Sequence, residues 1–155
     1  MAGRLLLLAA SLLLLTPAAS RAQSDTAQVM AVVRRLFAGM RASDSAMARS
    51  TMSSVVRFAE VNTRTTPARI ETDSVTEWLG GVAHSNHRWD EQIYDVQVRV
   101  DGDLAQVWAP YTFYLDRKLS HCGIDAFELL KDAGGWKITQ LSDTRRRENC
   151  RDVLK

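Results

Sequence analysis

Leu104-Ala105-Gln106-Val107-Trp108-Ala109-Pro110-Tyr111-Thr112-Phe113-Tyr114-Leu115 is the stretch that decides the fold. Every second residue, Ala105, Val107, Ala109, Tyr111, Phe113 and Leu115, is apolar, and that period marks a strand with one buried face. Asp101-Gly102 just before it is a strong hairpin turn signal. Upstream, Gln92 to Val100 alternates as well, with Tyr94, Val96, Val98 and Val100 on one face and Ile93 out of step. Downstream, Asp116-Arg117-Lys118 reads as a turn, Leu119 to Lys131 as a third strand, Asp132-Ala133-Gly134-Gly135 as a second turn, and Trp136 to Thr144 as the last strand. Pro110 sits inside a strand, where proline is confined to edges and bulges, so it predicts a local bend.

The residues ahead of this meander read differently. Val29, Val33, Leu36 and Met40 recur at helical spacing, widened by Met30 and Phe37. They predict a helix from Asp25 to Arg41, with Ser24 as N-cap and Asp25 favouring the first turn. Ser43 or Asp44 caps a short helix, Ser45 to Met52. Val55 to Val61 is a strand, and Asn62 to Ala68 a loop. Thr72-Asp73-Ser74 caps a third helix that Gly80-Gly81 weakens or ends. Helices segregated from an antiparallel meander give an α+β fold. A curved sheet wrapped round a long helix closes a cone with a pocket.

The N-terminus carries an address. Arg4 precedes an unbroken apolar run, Leu5 to Leu15, and small residues follow around Ser20-Arg21-Ala22. This is the pattern of a secretory signal. The run is too short for a bilayer core, which needs about 20 residues. Cleavage after Ala22 removes two arginines and no acid, leaving 18 basic and 18 acidic residues in 23–155. That balance removes the support for a nucleic-acid partner. The expectation is a signal peptide, 1–22, and one domain, 23–155, exported to the periplasm or the medium with no stable membrane anchor after cleavage.

Val107 to Tyr114, then Ser120-His121-Cys122-Gly123-Ile124-Asp125-Ala126-Phe127, then Gly135-Trp136-Lys137-Ile138, closely resemble secreted bacterial members of the nuclear transport factor 2-like superfamily. That superfamily includes SnoaL-like polyketide cyclases, ketosteroid isomerases and scytalone dehydratases. The resemblance implies the cystatin-like α+β cone, and a homodimer through the sheet. It does not by itself assign a reaction, because the scaffold hosts many.

Strand faces decide what meets in the pocket. A three-residue turn at Asp116 to Lys118 sets Phe113 opposite His121 and Ala109 opposite Asp125. A four-residue turn at Asp132 to Gly135 sets Asp125 near Ser142 and Phe127 near Gln140. The ligand-binding set expected is therefore Trp78, Tyr111, Phe113, His121, Asp125, Phe127, Gln140 and Ser142. A slip of one residue would regroup them. Asp125 on an apolar concave face should hold its proton, because desolvation disfavours the charge. The resemblance places it on the segment that bears the neutral, hydrogen-bond-donating aspartic acid of ketosteroid isomerases. The plainer role is a structural acid bonded to a neighbour. His121 is a candidate proton shuttle, or a hydrogen-bonding pocket residue. Counted without gaps from the helix junction, Glu60 falls where the isomerase base stands, while the matching helix tyrosine is Leu36; the plainer Glu60 is a solvent-facing strand residue.

His84, His87, Asp90 and Glu91 could be drawn as a metal site, but the spacing is poor, and neither a metal nor a cofactor is expected. Arg145-Arg146-Arg147 reads as a solvated polar tail. Cys122 and Cys150, the only cysteines, read in an exported chain as one disulfide; two separate thiols are the alternative. The functional expectation is a small, mostly apolar ligand in the cone. One alternative is a cofactor-free isomerase, cyclase or dehydratase working by proton transfer through Asp125, His121 or Glu60. Another is a dimeric interaction module with a filled cavity. The export reading predicts that the protein recovered from its own host starts at Gln23; an intact-mass spectrum retaining residues 1–22 would count against it.

Overall fold

The computed structural model describes residues 17–63 and 66–154, with the side chains of 17–22 left out. Most of the predicted signal lies outside the described residues. The elements are α1 (Pro17–Arg41), α2 (Ser45–Ser50), β1 (Met52–Asn62), β2 (Arg69–Glu71), α3 (Val75–His84), β3 (Trp89–Ile93), β4 (Gln97–Asp101), β5 (Leu104–Leu115), β6 (Lys118–Asp132) and β7 (Gly135–Arg145). The strands form one curved sheet in the order β2-β1-β7-β6-β5-β3, with β4 also on β5. Helices gather on one side of it, so the architecture is the α+β cone. The sheet is mixed, because β1 runs parallel to β7.

The α1 stripe is the predicted one. Val29, Val33 and Leu36 are wholly buried, and Met30, Phe37 and Met40 nearly so, against Val107, Phe127, Leu129 and Ile138 of the sheet. Burying each such side chain contributes roughly 1.5–3 kcal/mol. The helix starts earlier than expected, so Ser24 lies inside it and not at its cap. There Ser24 accepts a bond from Gln28 Nε2 at 3.1 Å. Asp25 is also inside the helix, buried, and paired with Lys131 at 2.6 Å. Asp44 caps α2 by accepting from the Met47 amide at 2.8 Å, and Ser74 caps α3. Gly80 and Gly81 do not end α3, which continues to His84. A Cβ on Gly81 would stand 3.1 Å from the Trp89 ring, so the glycine lets that indole lie close to the helix.

Three irregularities set the strand faces. First, the expected single strand Gln92 to Val100 is split. Asp95 takes a positive φ of 48°, and pairing slips by one residue between Ile93↔Tyr111 and Gln97↔Trp108. Ile93 therefore packs on the core and Tyr94 does not join it, the reverse of the simple alternation. Second, the β5–β6 turn has two residues, Asp116 and Arg117, both at positive φ. A bulge at Ser120 then restores the expected pairs Phe113↔His121 and Ala109↔Asp125. Third, the β6–β7 hairpin begins in the expected register, Lys131↔Trp136, but a bulge at Thr139 shifts the rest. Asp125 pairs with Asp143, and Phe127 with Leu141.

The tail is not simply solvated. Cys122 and Cys150 form a disulfide, with Cα atoms 5.6 Å apart. Residue 146 bridges to Cys122 through two 2.9 Å backbone bonds. Thr112 Oγ1 donates to the Arg151 carbonyl at 2.7 Å, and the Val153 amide donates to Tyr114 Oη at 2.9 Å. Thr112, Tyr114 and Cys122 are thereby buried on the outer face. Closing the 28-residue span should stabilise the fold by roughly 3–4 kcal/mol. Replacing both cysteines by serine should lower the urea midpoint accordingly, and reduction of the wild type should add two hydrogens to its mass. Unchanged stability would mean the tail docks without the bond.

Candidate functional site

The open end of the cone holds a cavity of about 370 Å³. Leu36, Phe37 and Met40 of α1 supply one apolar wall. An aromatic chain supplies another. Phe58 meets Trp78 edge-on at 5.3 Å, Trp78 meets Trp89 at 6.5 Å, and Trp89 meets Phe113 at 5.9 Å. His121 lies tilted over Phe113 at 4.8 Å and edge-on to Tyr111 at 5.8 Å. Such contacts hold the rings rigid, each adding roughly 0.5–1.5 kcal/mol beyond area burial.

Polar groups converge on this wall. Asp125 is 3% exposed. Burial comes first among the causes that raise its pKa well above the carboxylate range; the Glu91 charge and a hydrogen bond to Glu91 add to it. Glu91 is pushed to about 7, again by burial first, while the bond from Asp125 favours its ionised form. The pair therefore shares a proton, with Asp125 as donor and Glu91 as acceptor. Asp125 Oδ2 is buried and accepts from no N–H or hydroxyl of the described residues. Beside the pair, Arg145 bonds Asp143 at 2.8 Å and Glu60 at 2.5 Å. Burial opposes the guanidinium charge, but the two carboxylates outweigh it and raise its pKa. Glu60 is itself raised by burial, against the pull of Arg145. Tyr111 is almost fully buried, which raises its phenol pKa. It donates to the Thr144 carbonyl at 3.0 Å. Gly123 permits this: a Cβ there would come within 1.7 Å of that carbonyl oxygen and 2.9 Å of the Tyr111 ring.

The structure brings together Trp78, Tyr111, Phe113, His121 and Asp125 from the expected set. Three others fall elsewhere. Gln140 and Ser142 lie on the outer sheet face beside Trp108 and Ala126, because the bulge at Thr139 turns β7 over. Phe127 packs in the core against Phe37, centroids 6.1 Å apart. Glu60 is buried and not solvent-facing, and its ion pair with Arg145 sets it behind the lining. Arg145 leaves the expected tail and enters the cavity, while Arg146 and Arg147 are exposed. Glu91, Asp143 and Arg145 were not anticipated there. The Trp89-Glu91-Ile93 alternation would have placed Glu91, had the break at Asp95 been foreseen. No residue type in β7 announces its bulge. The drawn metal set disperses: His87 bonds Asp116 at 2.5 Å, Asp90 pairs with Arg41 at 2.9 Å, and Glu91 faces the cavity. Among the described residues no cluster of three metal-ligating side chains occurs.

Both carboxyl pKa values in the Glu91–Asp125 pair are raised on folding, so the native state binds more protons than the unfolded chain. The contribution of Glu91 is present below its unfolded value near 4 and is lost as pH rises through about 7, and the raised Asp125 acts in the same direction. Glu91→Gln should therefore stabilise the fold relative to wild type more at pH 8 than at pH 5, measured by urea unfolding. A pH-independent difference would break the link between burial and proton sharing.

No protein-family model matches the sequence, and no curated protein matches it. Solved structures do. A variant of the Mycobacterium tuberculosis protein Rv3472, of unknown function, aligns at TM-score 0.70 and 16% identity over 86% of this chain and 78% of that one. An NTF2-like protein with a cystatin-like fold from Novosphingobium aromaticivorans aligns at TM-score 0.67 and 11% identity, covering 86% and 89%. A candidate dehydratase of the NTF2-like family from Streptomyces avermitilis aligns at 0.62 and 17%, covering 80% and 97%. At these identities the likeness is one of fold: the chain adopts the nuclear transport factor 2-like, cystatin-like fold.

Proposed function

We propose that this protein is exported and holds a small, mostly apolar molecule in the cone, anchored at the Glu91–Asp125 pair. One observation carries the reading. A cavity walled largely by rings and aliphatic side chains has a buried carboxyl pair, Glu91 and Asp125, among its lining residues. Ligand donors are the natural partners of such a pair. An apolar hollow with a few convergent polar groups is the ordinary form of a small-molecule site. The cavity is not filled by side chains, which removes support from a purely structural hollow. The disulfide suits an oxidising compartment, and no described helix is long and apolar enough to cross a membrane. The outer face, where Trp108 is half exposed, is the surface proposed for a homodimer.

A second reading rests on the same pair. Two carboxyls whose environment separates their proton affinities form an acid and a base. Glu91, pushed to about 7, is better poised as a base than Glu60, which Arg145 already holds. Cofactor-free proton transfer, as in an isomerase, cyclase or dehydratase, is the activity this favours, and a candidate dehydratase stands among the structures of like fold.

Native mass spectrometry of protein from its own host tests the binding role and the dimer together. A retained organic molecule is expected, released on Trp78→Ala. An empty protein that also fails to bind naphthol at millimolar concentration would defeat the binding reading. For the second reading, Asp125→Asn and Glu91→Gln should each abolish turnover of an enone or ketone while far-UV circular dichroism stays native. No wild-type rate above buffer across a broad panel would defeat it.

A further inference from the structure

The charges around the cavity do not balance. Glu91 and Asp125 share a proton, and the pair is negatively charged once Glu91 ionises at about pH 7. Glu60 and Asp143 are two more acids, and Arg145 serves both of them. Asp73 and Glu77 add acids at the exposed rim next to Trp78. Among the described residues of the lining, Arg145 is the sole lysine or arginine, and His121 the one other basic group. Buried carboxylates in excess of their cations are costly unless something positive enters. The wall they face is aromatic, and ring faces attract cations. A carbonyl or carboxylate ligand would bring only acceptors to the Glu91–Asp125 pair; an ammonium brings donors.

Resting on the binding role above, we infer that the ligand is a hydrophobic amine, its ammonium held at the Glu91–Asp125 pair and its apolar body laid against Trp78, Trp89 and Phe113. Glu77 and Asp73 at the rim would draw such a cation inward. A neutral alcohol of the same shape would bring one donor to the pair but leave the charge uncompensated. A carboxylate would meet repulsion.

Three indoles of matched size separate these cases: tryptamine, tryptophol and indoleacetate, titrated calorimetrically into the full disulfide-bonded protein at low salt. Tryptamine should bind about tenfold or more tightly than tryptophol, as expected of a charge-assisted bond in a dry site, and indoleacetate weakest. Its affinity should rise with pH between 6 and 8 as Glu91 ionises, while that of tryptophol stays level. Glu91→Gln, checked for native circular dichroism, should erase the preference of tryptamine over tryptophol; Glu77→Gln at the exposed rim should lower tryptamine affinity modestly without touching the fold. If tryptophol binds as well as tryptamine, the amine inference fails and the binding role stands. If none of the three binds, the amine inference fails, and the binding role is decided by the mass spectrum and naphthol test above.

Discussion

The hollow exists because one helix cannot cover the strands it packs on. At 1.5 Å per residue the α1 stripe from Val29 to Met40 reaches about 17 Å. At about 3.3 Å per residue the fifteen residues of β6 reach roughly 50 Å. The stripe seals the half of the sheet that carries Val107, Leu129 and Ile138. Beyond Phe37 and Met40 the sheet runs on uncovered, and α3 with Trp78 closes over it only in part. Everything that makes the site chemically distinctive lies in this overhang, where the environment is apolar but space remains.

That geometry explains why so many acids survive there. In a packed core, Asp125 would need a complete set of partners. At the edge of a cavity it has Glu91 as its hydrogen-bonded partner. Arg145 reaches in from the end of β7 and holds Asp143 and Glu60, and Gly123 gives the strand room to do so. The tail beyond is fixed to the opposite face of the same strand through Cys150. Arg145 is thus placed by a strand end tethered just past it, which couples the disulfide to the site through the backbone at residues 144–146.

The aromatic wall and the carboxyl pair give the cavity two contrasting surfaces. The rings meet edge to face and present an apolar surface. The pair adds hydrogen-bonding direction and charge. Because Glu91 is shifted to about 7, the charge of the site changes within the range where most proteins outside a cell work.

Much was legible without coordinates. The α1 period, the β5 alternation and the even cysteine pair each follow from local rules: side-chain burial at a fixed repeat, and thiol chemistry in an oxidising compartment. They determined the α+β cone, its core and the disulfide, and they put Tyr111, Phe113, His121 and Asp125 on one face. Tertiary structure decided the rest. The slip at Asp95 brought Glu91 inward, and the bulge at Thr139 exchanged Gln140 and Ser142 for Leu141, Asp143 and Arg145. A bulge changes every side-chain direction beyond it, yet it is selected by long-range packing and carries no residue signature of its own. The turn at Asp116 shows the same limit from the other side: its length was misjudged, and the bulge at Ser120 returned the pairing to the expected register.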